Sequence, residues 1–317
     1  MKKTILFLLL LTSQLNQLFA QDKSYSEWYL QREDVNIFVK EIGTGKDTVI
    51  VVHGGFGANH DYMLDAINGL EKKFHFVLYD QRGSLLSPTK KENLTFQKNV
   101  DDLYALVKDL KLKKAKILCH SMGTLVGMEF VKQHPELVSN LVLTGTIIPK
   151  SDSLKSVFSE RYDKQVSFLL NRQEVAEQIK PFKDKGIDSL KSISDIEKSK
   201  FSHKDLTEYW RINYAAVNIY DIKKYNLLKG GRAYYNQEAS IMVETVNWNY
   251  DYRSAMNNTK TTIINGAYDF LDFNGDNLKT LLNGFPNIRL DIIPNAGHNP
   301  WIDNPKLFRQ YLLTALK

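Results

Sequence analysis

One cysteine, Cys119, stands in a chain of 317 residues, so no internal disulfide is available. Stability must come from a hydrophobic core, which a chain of this length is long enough to build. The seven histidines show neither HExxH nor any other ligand spacing, so neither a metal nor a cofactor is expected. Charge of one sign is scarce too: 42 basic residues face 36 acidic ones, for a net charge of +6. Short runs such as Lys72–Lys73, Lys90–Lys91 and Lys113–Lys114 fall near expected helix ends, where they solvate the surface and complement helix dipoles. With no basic stripe interleaved with stacking aromatics, nucleic acid is not an expected partner. No internal repeat or low-complexity tract interrupts the chain.

The opening stretch, MKKTILFLLLLTSQLNQLFA, sets Lys2 and Lys3 before a short leucine-rich core and ends on Ala20. That pattern reads as a signal peptide over residues 1–20, because its apolar core falls short of the roughly twenty residues that span a bilayer. The chain is thus expected to be exported, periplasmic or secreted, with no stable membrane anchor after cleavage. The absence of a cysteine near the cleavage point argues against a lipoprotein. Amino-terminal sequencing of the exported form is expected to begin at Gln21; a start at Met1 would contradict it.

What the sequence does have is an alternation of apolar runs and amphipathic segments. Runs near 48–53, 76–79, 115–120, 141–145, 261–265 and 288–293 lack strict polar alternation, as parallel strands buried on both faces do. WYLQREDVNIFVKEIG alternates like a hairpin at a sheet edge, while residues 99–110, Met122 to His134 and Pro305 to Leu316 carry apolar residues at helical spacing. The fold class expected is α/β, a doubly wound, mostly parallel sheet. From about Ile148 to Tyr250 the strand signal lapses and charged, amphipathic segments take over, which predicts a helical cap inserted after the sixth strand. The domain organisation expected is a core over 21–147, the cap over 148–250, and the rest of the core over 251–317.

Ser121 sits where the apolar run AKILCH stops and a helix begins. A tight strand-to-helix turn lifts a serine hydroxyl clear of the sheet and aims the first helical amides at the same space. The pentapeptide is C-H-S-M-G, with Cys119 in place of the first glycine of G-x-S-x-G. Asp269 and His298 follow, each just beyond an apolar run, so the order is Ser, Asp, His. A serine hydroxyl needs an imidazole to take its proton, and the imidazole needs a carboxylate to fix its tautomer. Asp272 is held in reserve for the acid. Earlier, TVIVV runs into His53, Gly54, Gly55, Phe56 and Gly57, a turn whose amides can approach a ligand closely. Gly55 and Met122 are the expected oxyanion donors, and Cys119, two residues before the serine, is expected to be buried.

Taken together, HGGFG at 53–57, DQRG at 80–83, HSMG at 120–123 and the late Asp269 and His298 resemble the α/β-hydrolase superfamily, most closely its proline iminopeptidase-like branch. The resemblance implies the α/β-hydrolase fold and a serine hydrolase cleaving an ester or amide through an acyl-enzyme. A small ester, amide or short peptide is the implied substrate, and an aminopeptidase of the proline iminopeptidase type the implied specialisation. Arg82 is read as bracing loops rather than touching substrate. Proline iminopeptidases hold the substrate's amino terminus with cap glutamates, for which Glu208, Glu238 and Glu244 are the nearest candidates here; Phe56 and Trp210 complete the substrate-binding set. The pairing expected after Trp210 is replaced by Arg211. The competing reading of another class is a catalytically inactive α/β-hydrolase serving as an envelope binding or scaffold protein.

Overall fold

The computed structural model describes residues 25–187, 201–228 and 235–317. Residues 1–20, read as a signal peptide, and Tyr234 lie outside the described residues. Among the described residues no helix is long and apolar enough to cross a membrane.

Eight strands form one sheet. In chain order they are β1 (Tyr25–Gln31), β2 (Asn36–Ile42), β3 (Asp47–Val52), β4 (Phe74–Tyr79), β5 (Ala115–His120), β6 (Val138–Thr144), and, later, β9 (Lys260–Gly266) and β10 (Ile288–Ile293). They lie in the order β1-β2-β4-β3-β5-β6-β9-β10. The β1–β2 hairpin and the β2–β4 pair are antiparallel, and every pair from β4 to β10 is parallel. All six apolar runs read as parallel strands are strands, and the alternating segment ahead of them is the edge hairpin.

The reason lies in the side-chain alternation. Along β5, Ile117 and Cys119 point into the core on one face of the sheet and Leu118 into the core on the other, all three fully buried. Each such aliphatic side chain contributes about 1.5–3 kcal/mol on leaving water. Helices α1 (Phe96–Asp109) and α2 (Gly123–Gln133) cover the first face, whereas α6 (Pro305–Ala315) lies across the second. Thr95 starts α1 by accepting the amide of Lys98, and Asn304 does the same for Leu307 at the start of α6. Cys119 fits where the elbow pattern has glycine because its neighbour across the helix is glycine: a Cβ at Gly127 would stand 2.4 Å from the Cys119 Sγ. Burial pushes that thiol well up, so it is inert packing.

Between β6 and β9 the chain leaves the sheet. It departs and returns through a two-stranded antiparallel ribbon, β7 (Lys150–Ser151) with β8 (Tyr250–Asp251). The described part of this excursion is mainly helical, with α3 (Glu160–Leu170), α4 (Gln173–Lys183) and α5 (His203–Asn218), and two 3-10 segments at Ile222–Leu227 and Gln237–Thr245. Arg172 locks α4 to the end of α5, its guanidinium donating to the carbonyls of Leu169, Ala216, Ile219 and Tyr220.

The DQRG turn after β4 is a fastening. Arg82 is buried, forks onto both oxygens of Asp102 at 2.8 Å each, and also meets Asp34 and the carbonyl of Asn93. Asp80 accepts from the backbone and ring of His60 and from the amide of Leu86. Burial raises its carboxyl, but those hydrogen bonds and the flanking imidazoles bring it below the usual carboxylate range. Ser87 closes the loop: its hydroxyl donates to the Asp80 carbonyl and accepts from the amide of Phe38.

Candidate active site

Ser121 carries a positive φ of 51°, the left-handed region that non-glycine residues seldom enter. Holding it there costs on the order of 1–3 kcal/mol, and the surroundings over-determine it. Its amide donates to the Thr144 carbonyl at 3.0 Å, extending the β5–β6 ladder by one step, and its carbonyl accepts the amide of Thr124 at 2.8 Å as α2 begins. The neighbours are small by necessity. A Cβ at Gly54 would lie 2.6 Å from that of Ser121, and one at Gly123 would lie 2.3 Å from the His53 carbonyl oxygen. The elbow and the glycine turn after β3 are therefore packed against each other, which brings Gly55, itself at φ 55°, to the same cavity wall as Ser121.

His298 and Asp269 arrive from the loops after β10 and β9. The Nδ1 of His298 donates to Asp269 Oδ1 at 2.9 Å, and both residues are buried. The same carboxylate oxygen accepts the amide of Leu271. The imidazole lies between the rings of Phe270 and His120, with centroids at 4.5 and 4.6 Å. A Cβ at Gly145 would stand 2.7 Å from the ring's Cε1, so this position, at φ 54°, must lack a side chain. Asp272 faces elsewhere: its two oxygens accept the amides of Asn277 and Leu278 and cap the short helix Asp276–Leu281.

Sequence reading missed how the three loops are bolted together. His120 is buried, and burial together with the adjacent His298 holds its imidazole well below the ordinary histidine range. It is neutral, and its partners fix the tautomer: Nε2–H donates to the His298 carbonyl at 3.1 Å, and Nδ1 accepts from the Tyr62 hydroxyl at 2.7 Å. The Tyr62 oxygen in turn accepts the amide of Gly54. One chain of hydrogen bonds thus runs from the glycine turn through the elbow to the loop that carries His298. His53 works in parallel, donating from Nδ1 to the Gly54 carbonyl and accepting the Gln81 amide at Nε2. Neither Tyr62 nor this use of His120 has a motif that would reveal it, since both partners are brought in by the fold.

Ser121, His298, Gly54 and Gly55 open into a cavity of about 630 Å³. The core supplies one wall, including Tyr62, His120, Phe270 and Asn299, and the helical excursion the other. On α5, Trp210, Tyr214, Val217 and Asn218 face it at helical spacing; on α3, Tyr162 and Val166 do the same. Trp210 stacks on Tyr214 with centroids 5.0 Å apart. No Asp, Glu, Lys or Arg lines the cavity among the described residues, nor are three or more His, Cys, Asp or Glu grouped to hold a metal ion there or elsewhere among them.

Of the five residues expected to bind substrate, only Trp210 lines this cavity. Phe56 is turned inward, 2% exposed, with its ring against Phe96. Glu208 on α5 accepts the hydroxyl of Tyr225, while Glu238 and Glu244 lie exposed on the 3-10 segment Gln237–Thr245. The correction has one physical cause: a desolvated carboxylate needs a partner, and each of the three instead meets water or a tyrosine.

A mostly parallel sheet with a strained serine at a strand-to-helix turn, and a buried Asp–His pair on the loops of two later strands, defines an α/β protein of the kind whose elbow turn presents a serine at the sheet's edge. The family model for the alpha/beta hydrolase fold matches residues 47–177, and the mostly parallel sheet of this chain has that fold. Among curated relatives, the protein named "Putative carbamate hydrolase RutD" of Escherichia coli O17:K52:H18 is 30% identical over 95 residues, 30% of this chain and 34% of its own length. The chain thus matches about a third of that relative. The solved structure of a proline iminopeptidase-related protein from Thermus thermophilus superposes with a TM-score of 0.64 at 18% identity, covering 92% of this chain and 97% of its own. An esterase from Exiguobacterium antarcticum gives 0.62 at 20% identity, covering 92% and 99%. At these identities the likeness is one of fold.

Proposed function

We propose that this chain is an exported serine hydrolase that cleaves uncharged esters through an acyl-enzyme. The observation that carries it is the meeting of the strained Ser121 and the Asp269-bonded His298 in one apolar cavity. In this reading Ser121 attacks the carbonyl, His298 takes the proton and returns it to the leaving alcohol, and Asp269 holds the imidazole's Nδ1–H. The amides of Gly55 and Met122 stabilise the oxyanion, each worth about a hundredfold or more in turnover. Water then repeats the cycle on the acyl-enzyme.

The lining favours esters over peptides with a free amino terminus. An ammonium entering an apolar cavity needs a paired charge, and among the described residues no carboxylate lines this one. The aromatic wall of Tyr162, Trp210, Tyr214 and Phe270 suits an apolar acyl or alcohol group instead. The esterase among the structures of this fold is consistent with that choice.

Purified protein lacking residues 1–20, assayed on p-nitrophenyl acetate, butyrate and benzoate beside L-prolyl and other aminoacyl arylamides, checks the reading. The esters are expected to exceed the arylamides in kcat/KM by about a hundredfold or more, the discrimination a buried unpaired charge imposes. A preference for L-prolyl arylamide would overturn it in favour of an aminopeptidase. A folded protein inert toward every substrate and toward fluorophosphonate would favour the scaffold reading.

A further inference from the structure

We propose that Asp303 is a positioning residue that makes the alignment of His298 depend on the docked cap; the inference rests on the serine-hydrolase reading above. Asp303 ends the short helix Pro300–Asp303, five residues beyond His298. Its carboxylate accepts three backbone amides from two parts of the chain. Oδ2 takes Gly297 at 2.8 Å and Tyr220 at 2.9 Å, and Oδ1 takes Asp221 at 2.9 Å. Gly297 immediately precedes His298, whereas Tyr220 and Asp221 belong to the cap just past α5. On the far side of the imidazole, the amide of Asn299 donates to the carbonyl of Asn218, the last residue of α5, at 2.9 Å.

Both neighbours of His298 are therefore fastened to the end of α5, one directly and one through the Asp303 carboxylate. The packing is close as well: a Cβ at Gly297 would stand 2.9 Å from the Asn218 carbonyl oxygen and from the Ile219 Cα. A fourth link, from Lys224 Nζ to the Asp303 carbonyl at 2.8 Å, ties the same helix end to the cap from outside. His298's own carbonyl is held by His120 in the core. The direction of the imidazole is set by the backbone on either side of it, and that backbone takes its place from the cap. Misplacement of a reacting group by about 1 Å costs on the order of a hundredfold in rate.

The side chain must be a carboxylate because three amides need acceptors only. A carboxamide of the same shape has one oxygen and turns an NH2 donor toward an amide donor. Asp303→Asn is thus the informative variant. With active sites counted by end-point labelling with a fluorophosphonate, its kcat per labelled site on p-nitrophenyl butyrate is expected to fall by about tenfold or more with KM within about twofold, as for a shifted base rather than a damaged pocket. A merely structural role predicts fewer labelled sites or a lower melting temperature at unchanged kcat per site, and that result overturns the proposal.

Should Asp303→Asn not fold, Lys224→Met decides, because it removes the outer link, together with a 3.8 Å ion pair to Asp221 within the cap, from a partly exposed side chain and leaves the Asp303 carboxylate in place. A fall of about two- to fivefold in kcat at constant KM supports the proposal, and unchanged kcat overturns it. If the wild type itself neither labels nor hydrolyses esters, the hydrolase reading fails first. An active wild type with both variants unimpaired removes this inference alone.

Discussion

Ser121→Ala is expected to lower turnover of p-nitrophenyl butyrate by about a factor of 10^6 and to end labelling by a fluorophosphonate, as loss of a nucleophile does in triads that act as a unit. Its fold should survive. Alanine keeps the Cβ that already sits against Gly54, and the bonds that hold residue 121 at φ 51°, to the Thr144 carbonyl and from the Thr124 amide, are both backbone bonds. Circular dichroism and the melting temperature should therefore match the wild type while the rate collapses. Activity retained within tenfold in this variant would sink the nucleophile assignment.

The second large effect separates two acids three residues apart. Asp269→Asn is expected to reduce kcat by about 10^4, because the amide group turned toward His298 Nδ1 favours the wrong imidazole tautomer. Asp272→Asn is expected to leave kcat within about threefold and instead to cost about 1–3 kcal/mol of stability, measured by urea denaturation, by weakening the cap on the helix Asp276–Leu281. The geometry motivates the contrast: Asp269 meets the imidazole at 2.9 Å, and Asp272 meets two helix amides. The reverse pattern, with Asp272→Asn inactive and Asp269→Asn active, would transfer the orienting role.

The strands were legible because burial on both faces leaves continuous apolar runs, and the order of Ser121, Asp269 and His298 because each follows such a run. The elbow showed through despite Cys119, since what that position demands is small volume on the strand, and Gly127 supplies the missing room from the opposite helix. The substrate wall was much less legible. Phe56 looked available beside three glycines, yet the positive φ at Gly55 swings the chain so that the ring enters the core. The three glutamates were chosen by analogy with a charge-pairing device, but their side chains leave α5 and the 3-10 segment on faces turned from the cavity. Trp210 was reached through the resemblance, whereas Val217 and Asn218 differ from packing residues only by where α5 docks.

His120, Tyr62 and Asp303 share a different invisibility. Each acts by hydrogen-bonding the backbone of a distant segment, and a backbone amide or carbonyl leaves no signature in the residue letters. Only His120 stood near a motif, and there it read as the variable letter of the elbow.

The ribbon formed by Lys150–Ser151 and Tyr250–Asp251 gives the insertion adjoining points of exit and return. A segment attached in this way is a cassette: its length and lining can change while the sheet that carries Ser121 keeps its register. A transplanted insert would need to bring the Tyr220 and Asp221 amides that reach Asp303 and the Asn218 carbonyl that accepts the amide of Asn299.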